Sequence, residues 1–158
     1  MMNQNSNQDT QVDEVGRAMA ELVAWRNARF DKQDSAIWLE RLEPHNHSGL
    51  TIEAARRFGE DPDLQDTPLT LAAFLRVVKQ IRSERIEAMK DRFPQPPSGI
   101  PDDQYRTWMH YRNEAAVRGL SPEQIDQLAR RAIGAPERPS ISDRPAPVMY
   151  LPPSPDAQ

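Results

Sequence analysis

The sequence predicts an all-α protein: a small bundle of four helices with a long projecting fourth helix, then a linker, a helical hairpin and a disordered tail. Three observations carry this. The stretch from Thr70 to Arg92 contains neither Pro nor Gly, and Leu71, Phe74, Leu75, Val78 and Ile81 recur in it at the spacing of one helix face. Five shorter stretches repeat that spacing, with cap residues or Pro and Gly stops around them. Of the 15 prolines, four fall between residues 94 and 101 and seven from residue 135 onward, so non-core chain is concentrated in a linker and a tail.

Taken in order, residues 1–11 are Asn/Gln-rich and are expected to form a disordered leader. A first helix follows from Val12 to about Phe30, with Val15, Met19, Leu22 and Val23 as its apolar positions and Trp25 as a core or core-edge aromatic. The second runs from about Gln33 to Glu43, places Ile37, Trp38 and Leu42 on one face, takes Asp34 or Ser35 as its cap and stops at Pro44. His45 to Gly49 is a polar turn. The third helix spans Thr51 to Phe58, with Thr51 as cap, Ala54, Ala55 and Phe58 inward, and Gly59 as its stop. Glu60, Asp61, Asp63 and Asp66 form an acidic loop.

The fourth helix starts behind Pro68 with Thr70 as its cap. At about 23 residues it is roughly 34 Å long, more than so small a bundle needs. Arg85 falls in the middle of its apolar face, so the core is expected to end before residue 85 and the half from Arg82 onward to project, with Met89 making a second, looser contact. The helical domain is therefore placed at 12–92 and the linker at 93–100. The hairpin occupies 101–134. Its first helix opens on Pro101-Asp102-Asp103, carries the stripe Tyr105, Trp108, Met109, Arg112 and Ala116, and ends at Gly119. Ser121-Pro122-Glu123 starts the second, with Ile125, Leu128, Ala129 and Ile133 inward and Gly134 as its stop. The tail, 135–158, is expected to be extended and disordered, with an apolar plug at Val148-Met149-Tyr150-Leu151.

Net charge is −4 and the pI about 5.4, against the basic balance of a general nucleic-acid coat protein. Mean hydropathy is −0.79. There is no cysteine, which removes disulfides, thiolate metal sites and thiol nucleophiles. No apolar run approaches the roughly 20 residues of a membrane span, and the polar start shows no signal pattern. The expected location is the cytoplasm, with no membrane partner.

His45 and His47 have the spacing of two metal ligands, but His110 lies in another element and no cysteine supplements them, so a solvated turn is the simpler account. No Gly-rich phosphate loop or nucleophile elbow occurs. Carboxylate pairs such as Asp102-Asp103 sit where helix starts need them. No catalytic residue, metal or cofactor is expected, and the chain does not read as an enzyme. Two groups of binding residues remain. Arg76, Lys79, Arg82, Arg85, Lys90 and Arg92 make the fourth helix locally positive, six cations against Glu84, Glu87 and Asp91, as a phosphate-binding face requires. Tyr105, Trp108 and Arg112, in an aromatic-plus-arginine set with Tyr111 and Arg106, are of the types that anchor protein interfaces. A solvated charged face and ordinary packing on the protein's own helices are the plainer alternatives.

The layout from Val15 to Arg85 resembles the helicase loader/inhibitor group of small phage and prophage replication proteins. The matching segments are AMAELVAWRNARF, the Trp-bearing AIWLERLE, LTIEAARRFGED and the long basic LTLAAFLRVVKQIRSERIE, followed by a Pro-rich linker and a further Trp-containing helix at Tyr105 to Arg118. The resemblance covers about 70 residues well and rests mostly on helix patterns. It implies an all-helical domain, no catalytic residues and a replicative helicase as partner, in a DNA replication accessory protein. From the residues alone, a small DNA-binding regulator using the basic face of helix 70–92 and a phage structural or assembly protein stay open as alternatives.

Overall fold

The computed structural model describes residues 6–138. Among them it forms six α-helices, two short 3-10 turns and no strand, so the chain is all-α as expected. The helices are α1 (Ser6–Arg26), α2 (Lys32–Leu42), α3 (Leu50–Glu60), α4 (Leu71–Ala88), α5 (Asp102–Val117) and α6 (Pro122–Ala132). Residues 1–5 of the expected leader and 139–158 of the expected tail, including the plug at Val148-Met149-Tyr150-Leu151, lie outside the described residues.

The main core gathers Val15, Ala18 and Leu22 of α1, Trp38 and Leu42 of α2, Leu50, Ala54, Ala55 and Phe58 of α3, and Phe74, Val77, Val78 and Ile81 of α4. Its centre is aromatic. Trp38 meets Phe30 edge-on at 5.0 Å and Phe74 at 5.3 Å, and Phe58 stacks on Phe74 at 5.9 Å. Burying each such large apolar side chain contributes about 1.5–3 kcal/mol, enough to explain why these short helices hold together only as a set.

Several boundaries differ from the sequence expectation, each for a local reason. α1 begins at Ser6, because the polar stretch before Val12 contains no Pro or Gly to stop a helix. It ends at Arg26, where Asn27 turns into the left-handed region (φ 53), and Phe30 therefore packs from outside the helix. Trp25 is 56% exposed and lies over Gly59, where an added Cβ would sit 2.9 Å from its ring. Gly59 is thus no helix stop; α3 continues to Glu60, and the glycine makes room for the indole. α2 is capped by Asp31, not by Asp34 or Ser35, through its side chain and the Asp34 N–H at 2.7 Å; Trp38 and Leu42 are buried, while Ile37 stays exposed. α3 starts behind Gly49, whose φ of 69 suits a residue without Cβ, and Thr51 is buried in the first turn instead of capping it. The Gly49 N–H donates across to Glu14 Oε1 of α1 at 3.3 Å.

Arg26 closes the other end of α3. Its guanidinium donates to the carbonyls of Phe58 (3.1 Å), Leu64 (3.0 Å) and Thr67 (2.6 Å), pinning the acidic loop to the bundle. Thr70 caps α4 as expected, its side chain accepting from Ala73 N at 3.1 Å. α4 stops at Ala88, short of Arg92, and residues 89–92 form successive turns. Its C-terminal end runs past the four-helix core, where Met89 makes the second contact expected of it, but α5 lies against this extension. Met89 and Phe93 pack on a smaller core of Ala115, Ala116 and Ile125, and Val117 of α5 enters the main core. The α5–α6 turn is set by Gly119 (φ 75) and by a capping box, with Ser121 and Gln124 each holding the other's backbone N–H.

Candidate functional site

The nine candidate binding residues separate into three groups. Arg76 and Lys79 are exposed on α4 and make no ion pair among the described residues. Lys90 is exposed and pairs with Glu87 at 2.8 Å, a helix-surface contact of small consequence, and Arg92 is exposed beyond the helix end.

Arg82 and Arg85 are not free. Arg82 pairs with Glu114 of α5. Arg85 donates to the carbonyls of Ser48 and Val117, both at 2.9 Å, and to Glu53 Oε2 at 2.9 Å. The buried residues of α4 do end at Ile81, before Arg85, but the expectation that the half from Arg82 onward projects freely is corrected: Arg85 sits on the apolar side because the groups it fastens lie there. Glu53 also holds Arg57 at 3.0 Å, and Arg57 grips Glu84 of α4 with both ends of its fork at 3.1 and 2.5 Å. The Glu84 hydrogen bond pushes the Arg57 guanidinium above the ordinary arginine range, and Arg57 in turn holds the Glu84 carboxyl below its own. One line of alternating charges therefore binds α4 to α3, and Arg85 with the separate Arg82–Glu114 pair ties α5 to both.

The third group lies on the hairpin. Trp108 is 1% exposed and forms part of its packing, with Tyr105 stacked on it at 6.4 Å. Arg112 lies flat over Phe93 of the linker at 3.9 Å and faces Trp108 at 5.6 Å. Burial, partly opposed by Tyr105, lowers its pKa from the usual arginine value. Arg112 thus fastens the linker to α5. Of this trio only Tyr105, 42% exposed, presents itself to solvent.

A feature that the sequence reasoning named only in part, through Tyr111, lies on the other side of α5. A groove of about 390 Å³ opens between His110, Tyr111, Glu114 and Arg118 of α5 and Leu128 and Arg131 of α6. Tyr111 is 42% exposed beside it. Residues 111, 114, 118 and 128, 131 recur at helical spacing, but their meaning depends on how the two helices pair, which periodicity does not give.

His45 and His47 stand where the turn before α3 meets α4 and α5. Burial, followed by Arg82, pulls His45 below its ordinary pKa; burial, followed by Arg118, does the same to His47. Among the described residues no group of three His, Cys, Asp or Glu side chains is placed to hold a metal ion, and no helix is long and apolar enough to cross a membrane. Comparison with protein-family models, with curated proteins and with solved structures finds no match to this chain.

Proposed function

We propose that the chain is a non-enzymatic DNA replication accessory protein of phage or prophage origin, acting in the bacterial cytoplasm, which binds a replicative helicase in a loader-like role through the outer face of the α5–α6 hairpin. One observation carries the choice of surface. The hairpin is fixed to the bundle through Arg82 and Arg85, and an open groove starts at that joint, at Glu114, with Tyr111 exposed beside it. Exposed tyrosine beside arginine on a rigid support suits an interface anchor. The helicase follows from the resemblance of residues 15–85 to the loader group. In this account α1 to α4 form the scaffold, and no side chain is assigned a catalytic role.

A direct test mixes the purified protein with the hexameric replicative helicase of the host bacterium and follows complex formation by calorimetry. Binding at micromolar concentration is expected, weakened about tenfold or more by Tyr111→Ala, the loss typical of an interface hot spot. No binding at that concentration refutes the proposal. Duplex DNA is the weaker partner. With Arg82 and Arg85 committed to α5 and α3, the free cations are Arg76 and Lys79 on α4 and Arg92 beyond its end, and at most three phosphate contacts give only a shallow salt dependence, with a slope of about −2 to −3.

A further inference from the structure

We propose that the α5–α6 groove takes an acidic segment of a partner protein, one apolar anchor side chain flanked by carboxylates. The inference rests on the reading of the hairpin as the partner surface and adds the chemistry that the surface selects.

The base of the groove is aliphatic: Leu128 is half-buried against the hairpin core, and Ala115 is fully buried beside it. Tyr111 lies beside them with much of its ring in solvent. At about 390 Å³ the space is near the lower end of binding pockets, which run from about 300 to 1,000 Å³. That suits one or two large side chains.

The charge around this base is one-sided. Arg118 is exposed and makes no ion pair among the described residues. The side chain of Arg131 is 76% exposed, and its contact is Glu137 at 3.6 Å, itself exposed, a pair that water and salt largely screen. The single carboxylate of the groove, Glu114, is already neutralised by Arg82 from α4. Two guanidinium groups on different helices therefore stand over an apolar base with no free counter-charge in the groove, although the chain as a whole carries −4. Complementarity calls for carboxylates around an apolar anchor. A nucleic-acid backbone fits less well, because it needs a row of cations and leaves the Leu128 base without a partner.

The test uses the full chain and fluorescence anisotropy with four labelled probes. One is a 16-residue peptide with leucines at helical spacing and glutamates flanking them. Two are its twins with glutamine or lysine in place of glutamate, and the fourth is a 20-nucleotide single-stranded DNA. The acidic peptide is expected to bind with a Kd of tens of micromolar, the glutamine twin about tenfold more weakly, and the lysine twin not at all up to about 1 mM. The double variant Arg118→Glu/Arg131→Glu, both at exposed positions, should keep its melting temperature and reverse the order of the acidic and lysine peptides. Equal binding of those two peptides by the wild-type chain, or no peptide binding at 1 mM, overturns the proposal. So does tighter binding of the oligonucleotide that is lost in the double variant. The partner assignment fails separately: a helicase complex lost in Tyr111→Ala but indifferent to the two arginines leaves the surface standing and removes the chemistry, whereas acidic-peptide binding without helicase binding does the reverse.

Discussion

Replacing Arg85 with Met separates a fastening role from a contact role. Methionine keeps the apolar stem and removes the guanidinium. The change deletes hydrogen bonds to the Ser48 and Val117 carbonyls and an ion pair to Glu53, all at 2.9 Å. Each carbonyl bond contributes about 1 kcal/mol net. The Arg85 and Glu53 side chains are 28% and 40% exposed, so the ionic part is held to below about 1 kcal/mol. The expected loss is about 2–3 kcal/mol, and at roughly 3 °C per kcal/mol for a chain of this size the melting temperature falls by about 6–9 °C. Arg76→Met, at an exposed position with no ion pair, is the control and should stay within about 0.5 kcal/mol of wild type. Urea and thermal unfolding followed by circular dichroism measure both. If Arg85→Met unfolds within 0.5 kcal/mol of the control and only loses partner binding, the fastening argument is wrong and Arg85 belongs to a contact face.

Three further outcomes follow from the same geometry. Gly59→Ala should destabilise by about 1–3 kcal/mol despite alanine's better helix propensity, because its Cβ meets the Trp25 ring at 2.9 Å; in a Trp25→Ala background the penalty should disappear, and a penalty that persists there rejects the steric cause. Ser121→Ala removes one half of the α6 capping box and should cost about 1 kcal/mol in urea unfolding, with an unchanged midpoint as the contrary result. His45 and His47 have folded-state pKa values held below 6.5, so the unfolded chain takes up protons first as pH falls. Stability should be level above about pH 7, decline as pH drops through 6.5 and level off below the depressed values, until the carboxylates begin to titrate. The groups facing the two imidazoles are Glu14 of α1, Lys79 and Arg82 of α4, and Glu114 and Arg118 of α5. The His45→Gln/His47→Gln variant should flatten that decline, and an identical pH profile would exclude the histidines as its source.

Much of the helix inventory was legible because periodicity and caps are local. Thr70, Ser121, Gly119 and Gly134 act where the sequence puts them, and Phe74, Val78, Ile81, Ile125 and Ala129 are buried as their spacing predicts. The errors all concern partners distant in sequence. Gly59 looks like a stop until Trp25 is seen above it. Thr51 looks like a cap until Glu14 arrives from α1 to hold the Gly49 N–H. Arg85 looks like the edge of the core because an arginine on an apolar face signals solvent unless something accepts its hydrogen bonds. Its acceptors at residues 48, 53 and 117 cannot be counted from the sequence. The binding candidates fared likewise. Trp108 and Arg112 have interface composition, but Trp108 is buried and Arg112 closes over the linker, and the groove exists only through the way α5 and α6 pair.

The pairing of Arg82 with Glu114 also has a thermodynamic consequence. The hairpin adds only Val117 to the main core, and beyond that it is held by Met89 and Phe93 on its own small core and by the polar contacts of Arg82 and Arg85. Its undocking is therefore an opening that requires less than the full unfolding free energy. Undocking also releases Glu114 from its cation, returns a free carboxylate to the groove and weakens it for an acidic ligand. Ligand binding and hairpin docking then reinforce each other by the same factor, so amide exchange would slow when the groove is filled along the whole of α5, its first turns included, and not only where the ligand touches it.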